Sequence, residues 1–326
     1  MGCEDMTKIY TGRKIAIFTD AHGLLEPVEA ALRDIASRGV SEIYSLGDNI
    51  CDGPDSLGVV KLLSENGVKS VAGNAEEYIR IGVEPFRSYI ESGSYREKEV
   101  DKTRKQLGEE GIKIIEKYLH TYEVELGGKQ IGLCHFGNDV RIDFDKRSTW
   151  SYQYGFDYFV TGKRYDKDIS RQFAYTASQE QIDLIRKYGS GDMSKNPENG
   201  GFVSAYNEPM FPTGTLGVGK NLNVFDDVFQ GHVHFKLEDP TKETNFHTLR
   251  AVGMGYRNDP IDSASYVLLS EYEDPDTSEK GFDIEEILVT YDREKMVYKV
   301  LNSYGPYSRI AKFISVTEEE KSKFSK

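Results

Sequence analysis

The feature that most constrains this 326-residue chain is a recurring unit in which a short apolar run ends on a residue able to bind a cation. Residues 14–18 carry Ile15, Ile17 and Phe18, long enough for a buried strand and too short for a helix, and stop at Asp20-Ala21-His22-Gly23. Residues 42–46 repeat the pattern and end in Gly47-Asp48-Asn49, and 68–72 end in Gly73-Asn74-Ala75-Glu76. Residues 131–134 lead to His135, and 224–229 lead to Gly231-His232-Val233-His234. One Asp-x-His triplet is common in surface turns. Five strand ends that each deliver Asp, Asn or His predict a single polar cluster on one edge of a sheet, where open α/β sheets place their ligands.

The connections fit that reading. Val28, Ala31, Leu32, Ile35 and Ala36 fall at helical spacing, with Pro27 near the first turn and Gly39 beyond the end. A second helix over 56–65 stops at Asn66-Gly67. Strand, helix, strand, helix, strand with short links predicts a parallel sheet of right-handed crossover units. From 76 to 120 the chain is polar and helix-favouring, with Ile112, Ile114, Ile115, Tyr118 and Leu119 as an apolar stripe. Residues 122–126 and 129–134 around Gly127-Gly128 predict a hairpin. Strands are expected at 248–252, 266–271, 284–291 and 297–301; with no helix between them they predict an antiparallel second sheet. The acidic tail from 318 is expected to fray.

The stretch 143–223 is irregular, rich in Tyr and Phe, with a helix expected over 178–188 and then a Gly/Asn/Pro-rich run. It reads as a cap-like insertion in a single domain spanning 1–326, with Tyr152, Tyr154, Phe156, Tyr158 and Tyr175 either in the cap or in a local core.

A net charge of −13 argues against a nucleic-acid backbone or an anionic membrane as partner, and any phosphate compound bound here needs a local cation, such as a metal ion, to offset that acidity. No leader-like apolar segment or membrane-length apolar run is present, so a cytoplasmic location is expected, and the oligomeric state is left open. Cys3, Cys51 and Cys134 are scattered and odd in number, which predicts reduced thiols rather than disulfides or a zinc ribbon.

Phosphate-ester hydrolysis needs a strong nucleophile and charge neutralisation on the phosphoryl oxygens, which two divalent ions about 3.5–4 Å apart can supply around a bridging carboxylate. Asp48 is the natural bridge. Here the residues resemble a known family, the calcineurin-like metallophosphoesterases, whose five blocks D-x-H, G-D, G-N-H-D/E, H and G-H-x-H stand as Asp20-x-His22, Gly47-Asp48, Gly73-Asn74-Ala75-Glu76, His135 and Gly231-His232-Val233-His234. The likeness covers roughly 14–135 and 224–291. Residues 47–55, GDNICDGPD, resemble the G-D-x-x-x-x-G-P-D of the small prokaryotic branch, which includes phosphodiesterases and dinucleoside polyphosphate hydrolases. Residues 252–266 resemble its closing segment. The resemblance implies an αββα sandwich, two mixed sheets flanked by helices. It implies one metal on Asp20, His22, Asp48 and His234, and another on Asp48, Asn74, His135 and His232. Mn²⁺ is the leading ion, with Fe, Zn²⁺ or Ni²⁺ as alternatives.

The chain departs from the family at Ala75, where His is usual, so the group expected to protonate the leaving oxygen is missing. General acid help is worth ~10²–10⁴ in rate and matters most for poor leaving groups. The expectation is therefore a hydrolase of a small phosphodiester or phosphoanhydride by attack of a metal-bound hydroxide, with Asp48, Asn74 and His135 acting through that hydroxide. A weak or inactive protein that uses the fold as a binding scaffold is the alternative, and a protein phosphatase ranks last. Arg257 is a candidate phosphate contact, Asp52 and Glu76 are candidate supports for the ligands, and His120 and His247 are taken as structural.

Overall fold

The computed structural model describes residues 8–80, 82–83, 93–119, 121–135, 202–203, 209–211, 225–232, 234, 237–240, 245–254 and 262–322. The site-bearing strands come first: β1 (Ile9–Phe18), β2 (Glu42–Ser45) and β3 (Lys69–Ser70), linked by α1 (Leu25–Ser37) and α2 (Ser56–Glu65). After α3 (Asn74–Arg80) and α4 (Tyr95–Ile115), which is broken at Gly108, come β4 (Thr121–Leu126) and β5 (Lys129–Cys134). The remaining strands are β6 (Phe202–Val203), β7 (Pro209–Phe211), β8 (Asp227–Gln230), β9 (Leu237–Pro240), β10 (Asn245–Thr248), β11 (Ser263–Glu273) and β12 (Lys280–Thr290). Three helices close the described chain: α5 (Arg293–Tyr304), α6 (Arg309–Phe313) and α7 (Glu318–Ser322).

Two mixed five-stranded sheets result, in the orders β12-β11-β1-β2-β3 and β4-β5-β8-β10-β9, and β6 and β7 form a separate pair. The chain is an α/β protein of two packed mixed sheets flanked by helices, as the sequence predicts. The pairs β1/β2, β2/β3, β5/β8 and β8/β10 are parallel; antiparallel strands β4 and β9 edge the second sheet, whereas the first has antiparallel β12 at one edge and parallel β3 at the other. Alternation along β1 explains the packing. Ile15 and Ile17 face the second sheet beside Ile131, Leu133 and Phe229, while Ala16 and Phe18 face Val28, Ala31 and Ile35 of α1 and Val59 and Leu63 of α2. A strand covered on both faces reads as a continuous apolar run. The β4–β5 hairpin turns on Gly127 and Gly128, both at positive φ, as a two-residue primed turn requires.

The structure corrects several expectations. The site-bearing strand ends belong to two sheets rather than one edge: β1, β2 and β3 lie in the first, β5 and β8 in the second. Strands β11 and β12 do not form a separate sheet; β11 pairs antiparallel with β1 through Ile17↔Val267 and extends the first sheet. Residues 297–301 are helical. Asp292 caps α5 by accepting from the Lys295 N–H at 3.0 Å, and Met296, Val297, Val300 and Leu301 form a buried face at helical spacing, a pattern that a five-residue window cannot distinguish from a strand. The strand expected at 248–252 lies instead at Asn245–Thr248. The tail is helical through Ser322. Nearly all of 143–223, including the helix expected over 178–188 and the aromatic cap residues, lies outside the described residues, as do Cys3 and His120. Cys51 and Cys134 are buried free thiols. Among the described residues, no helix is long and apolar enough to cross a membrane.

Candidate metal centre

Five of the seven ligand candidates sit in a conformation that L-residues rarely adopt. Asp20, His22, Asp48, His232 and His234 all have φ between 46° and 73°, although none is glycine. Such strain of about 1–3 kcal/mol per residue persists where surrounding structure over-determines it, and functional sites are where it collects. The surrounding structure is a set of cross-loop bonds: Asp20 N–H to the Gly47 carbonyl at 3.0 Å, His22 N–H to Asp48 at 2.8 Å, and Gly231 N–H to His135 at 3.1 Å. Glycine is needed where loops touch. A Cβ on Gly231 would lie 2.6 Å from Asp20 Oδ2 and collide with the Thr19 hydroxyl.

The side chains gather into two adjoining groups. Asp20, His22 and His234 form one, Asp48, His135 and His232 the other, and within each the donor atoms all lie within 4.8 Å of one another. In the first, His22 Nε2 stands 3.0 Å from His234 Nε2 and 3.7 Å from Asp20 Oδ1. In the second, His135 Nε2 is 3.5 Å from Asp48 Oδ1 and 3.3 Å from His232 Nδ1. Asn74 Oδ1 joins this second group at 2.9 Å from His232 Nδ1 and 3.2 Å from His135 Nε2. Asp48 faces both, with Oδ2 3.8 Å from His22 Nε2.

Neighbouring groups orient these donors. The Leu46 carbonyl lies 2.7 Å from His135 Nδ1, so that nitrogen carries the proton and Nε2 presents its lone pair. Asp20 Oδ2 accepts from the Thr19 hydroxyl at 2.7 Å and the His232 N–H at 2.9 Å. Its other oxygen, Oδ1, is buried without a hydrogen-bond partner and is turned to His234. Glu76 accepts the N–H groups of Asp48, Asn49 and Gly73 at 2.8–2.9 Å, so it holds the Asp48 loop rather than an imidazole. Asp52 Oδ2 lies 3.7 Å from His22 Nδ1, an electrostatic contact beyond hydrogen-bond range.

Burial works against charge here, and the neighbours decide the outcome. Burial would raise the Asp20 carboxyl, but His234 and His22 hold it well below the usual range. Burial and then His135 pull His232 down to about 3, keeping it a neutral donor. Burial and then Asp48 push Glu76 up to about 7. A carboxylate oxygen buried without a donor is costly, and a set of imidazole nitrogens and carboxylate or amide oxygens facing one point suits a divalent cation. The residues present therefore fit two divalent ions.

All seven residues proposed as ligands from the sequence, Asp20, His22, Asp48, Asn74, His135, His232 and His234, meet here. Arg257 lies outside the described residues. His247 lies apart, 2.8 Å from Asp227 and stacked on Phe229. Sequence reasoning passed over Thr19, Phe313, Arg96 and Arg309. None lies in a motif, and only their tertiary neighbours single them out.

A two-sheet α/β chain with two N/O donor groups at its strand ends defines a class of divalent-metal protein. Residues 14–180, about half the chain, match the calcineurin-like phosphoesterase superfamily domain, and the chain belongs to that superfamily. An uncharacterized protein of Methanocaldococcus jannaschii is 29% identical over 121 residues, which are 37% of this chain and 48% of that protein. The match thus spans about half the length of that relative. Among solved structures, a hypothetical protein of Pyrococcus horikoshii shares the fold at a TM-score of 0.50 and 13% identity, over 95% of this chain and 96% of that one. A metallophosphoesterase of Sphaerobacter thermophilus aligns at 0.49 and 15% identity, over 93% and 98%.

Proposed function

We propose that the chain is a two-metal phosphohydrolase that cleaves a small phosphodiester or phosphoanhydride. The observation that carries this reading is the split orientation of Asp48, whose Oδ1 faces His135 and whose Oδ2 faces His22. One carboxylate addressing both donor groups is what a shared bridge between two ions requires. Asp20, His22, Asp48 and His234 would hold one ion, and Asp48, Asn74, His135 and His232 the other. When bound, such a pair activates water as a nucleophile and neutralises charge on the phosphoryl oxygens. Mn²⁺ heads the list of ions, since the donors are oxygens and imidazoles with no thiolate.

The chain's own contribution is positioning. His135 is locked by the Leu46 carbonyl, Asp20 by Thr19, and the Asp48 loop by Glu76. Ala75 is fully buried in an apolar cluster with Ile50, Cys51, Ala72 and Tyr78, so its side chain offers no proton to a leaving group. That supports substrates whose leaving groups depart without protonation, and the acidic surface supports a small diffusible one in a cytoplasmic setting. Protein purified without chelator is expected to contain two metal equivalents and to hydrolyse bis(4-nitrophenyl) phosphate. Chelation should abolish that activity and Mn²⁺ restore it. Two bound metals without turnover on any phosphoester would favour the scaffold reading that Ala75 keeps open.

A further inference from the structure

Two arginines outside every motif flank the His22 and His234 side of the centre. Arg96, in the first turn of α4, donates from Nη1 to Asp52 Oδ2 at 3.1 Å, and Asp52 is 1% exposed beside His22. Arg309 opens α6 and lies over the Phe313 ring, 5.0 Å from its centroid, and that ring meets His234 edge-on at 5.9 Å. Each guanidinium is thus one side chain removed from an imidazole of the same donor group.

The local charges do not balance. Among the described residues, Arg309 makes no ion pair. It stays accessible to solvent while protein packs densely around it, and burial together with the nearby Arg96 pulls its pKa down. Asp52 answers Arg96. Glu99 accepts the Asp52 N–H at 3.2 Å and the Tyr304 hydroxyl at 3.0 Å, with Lys102 beyond it over the Tyr304 ring. Among the described residues, Arg96 and Arg309 thus share the Asp52 carboxylate while Lys102 stands against Glu99, so two guanidiniums face one carboxylate in a chain whose net charge is −13. A planar guanidinium that is accessible and shares its one nearby carboxylate, Asp52, with a second arginine suits a phosphate, which its fork can bind through two oxygens.

We infer that Arg96 and Arg309 form an anion subsite on the His22–His234 flank that takes a second phosphoryl group of the substrate, one anhydride linkage from the group attacked. The inference rests on the phosphohydrolase reading and narrows it to phosphoanhydrides. Titration calorimetry on the Mn²⁺-loaded full chain, in excess Mn²⁺, tests it with methylenediphosphonate and methylphosphonate as probes. The ratio of their affinities is expected to fall about tenfold in Arg309→Ala, further in Arg309→Glu, and less in Arg309→Lys. Arg33→Ala, an exposed arginine on α1, should keep the wild-type ratio. A ratio unchanged in Arg309→Ala and Arg309→Glu overturns the subsite. Turnover of bis(4-nitrophenyl) phosphate and of a dinucleoside polyphosphate, read in parallel, separates the two ideas: no turnover of either with the ratio still dependent on Arg309 sinks the hydrolase and keeps the subsite, and turnover of either with an indifferent ratio does the reverse.

Discussion

Oδ1 of Asp48 accepts the backbone N–H of Ala75 at 2.7 Å, and the same oxygen lies 3.5 Å from His135 Nε2. The first turn of α3 thus fixes the Asp48 carboxylate through its backbone, while its side chain at 75 is a methyl turned into the core. The position keeps its architectural role without carrying a proton donor.

That arrangement predicts a substrate preference. With Mn²⁺ bound, hydrolysis of an aryl phosphodiester should exceed that of the matching aryl monoester by about tenfold or more in kcat/KM, because only weakly basic leaving groups depart unaided. Equal or reversed rates in a chromogenic assay would remove the argument from Ala75.

Metal stoichiometry should separate the two donor groups. Asp20→Asn is expected to lower the content from two equivalents toward one, whereas Asp48→Asn should disturb both ions and lower it further. Elemental analysis after desalting reads this directly, and Asp48→Asn that retained two equivalents would refute a bridging role.

Gly73 packs against Asp48, and a Cβ there would lie 2.5 Å from the Asp48 backbone nitrogen and overlap its Oδ1. Gly73→Ala should therefore destabilise the chain by about 1–3 kcal/mol through overpacking and shift the carboxylate. Thermal melts in the presence of chelator isolate the steric effect from metal loss; an unchanged Tm would mean that the loop yields freely.

Away from the site, Glu42 accepts from Lys69 Nζ at 2.6 Å, the Tyr44 hydroxyl at 2.7 Å and Arg13 Nη2 at 3.2 Å. The Lys69 and Tyr44 bonds lead in holding its carboxyl down at about 2. A depressed carboxyl adds stability that is fully present above its unfolded pKa and is lost as pH falls through the folded one. With partial solvent screening, Glu42→Gln should cost on the order of 1 kcal/mol at pH 7, and the difference should shrink from about pH 4.5 toward pH 2. Urea unfolding of both proteins across that range measures it.

Much of the molecule was legible because its signals are local. The apolar run of β1, the spacing of Val28, Ala31 and Ile35 in α1, and the Gly127-Gly128 turn each depend on a few neighbouring residues. The five polar strand ends were legible for the same reason, since Asp20, Asp48, Asn74, His135 and His232 each follow a recognisable run. Failures fell where local pattern is ambiguous or partner choice is remote. Residues 297–301 fit strand or helix equally until Asp292 caps the helix, and β11 carries no mark that selects β1 over a second sheet.

What the amino-acid order determined alone was the strands that lead to the site, the residues at their ends and the replacement at position 75. Tertiary structure decided the rest: which sheet each strand joined, the left-handed turns that aim Asp20 and His22, and the approach of Arg96 and Arg309. His22 and His234 are 212 residues apart in sequence, yet their Nε2 atoms lie 3.0 Å from each other. Local periodicity encodes which face of a strand is apolar, whereas a distance between remote side chains exists only once two sheets have packed and removed the chain's freedom to place them elsewhere.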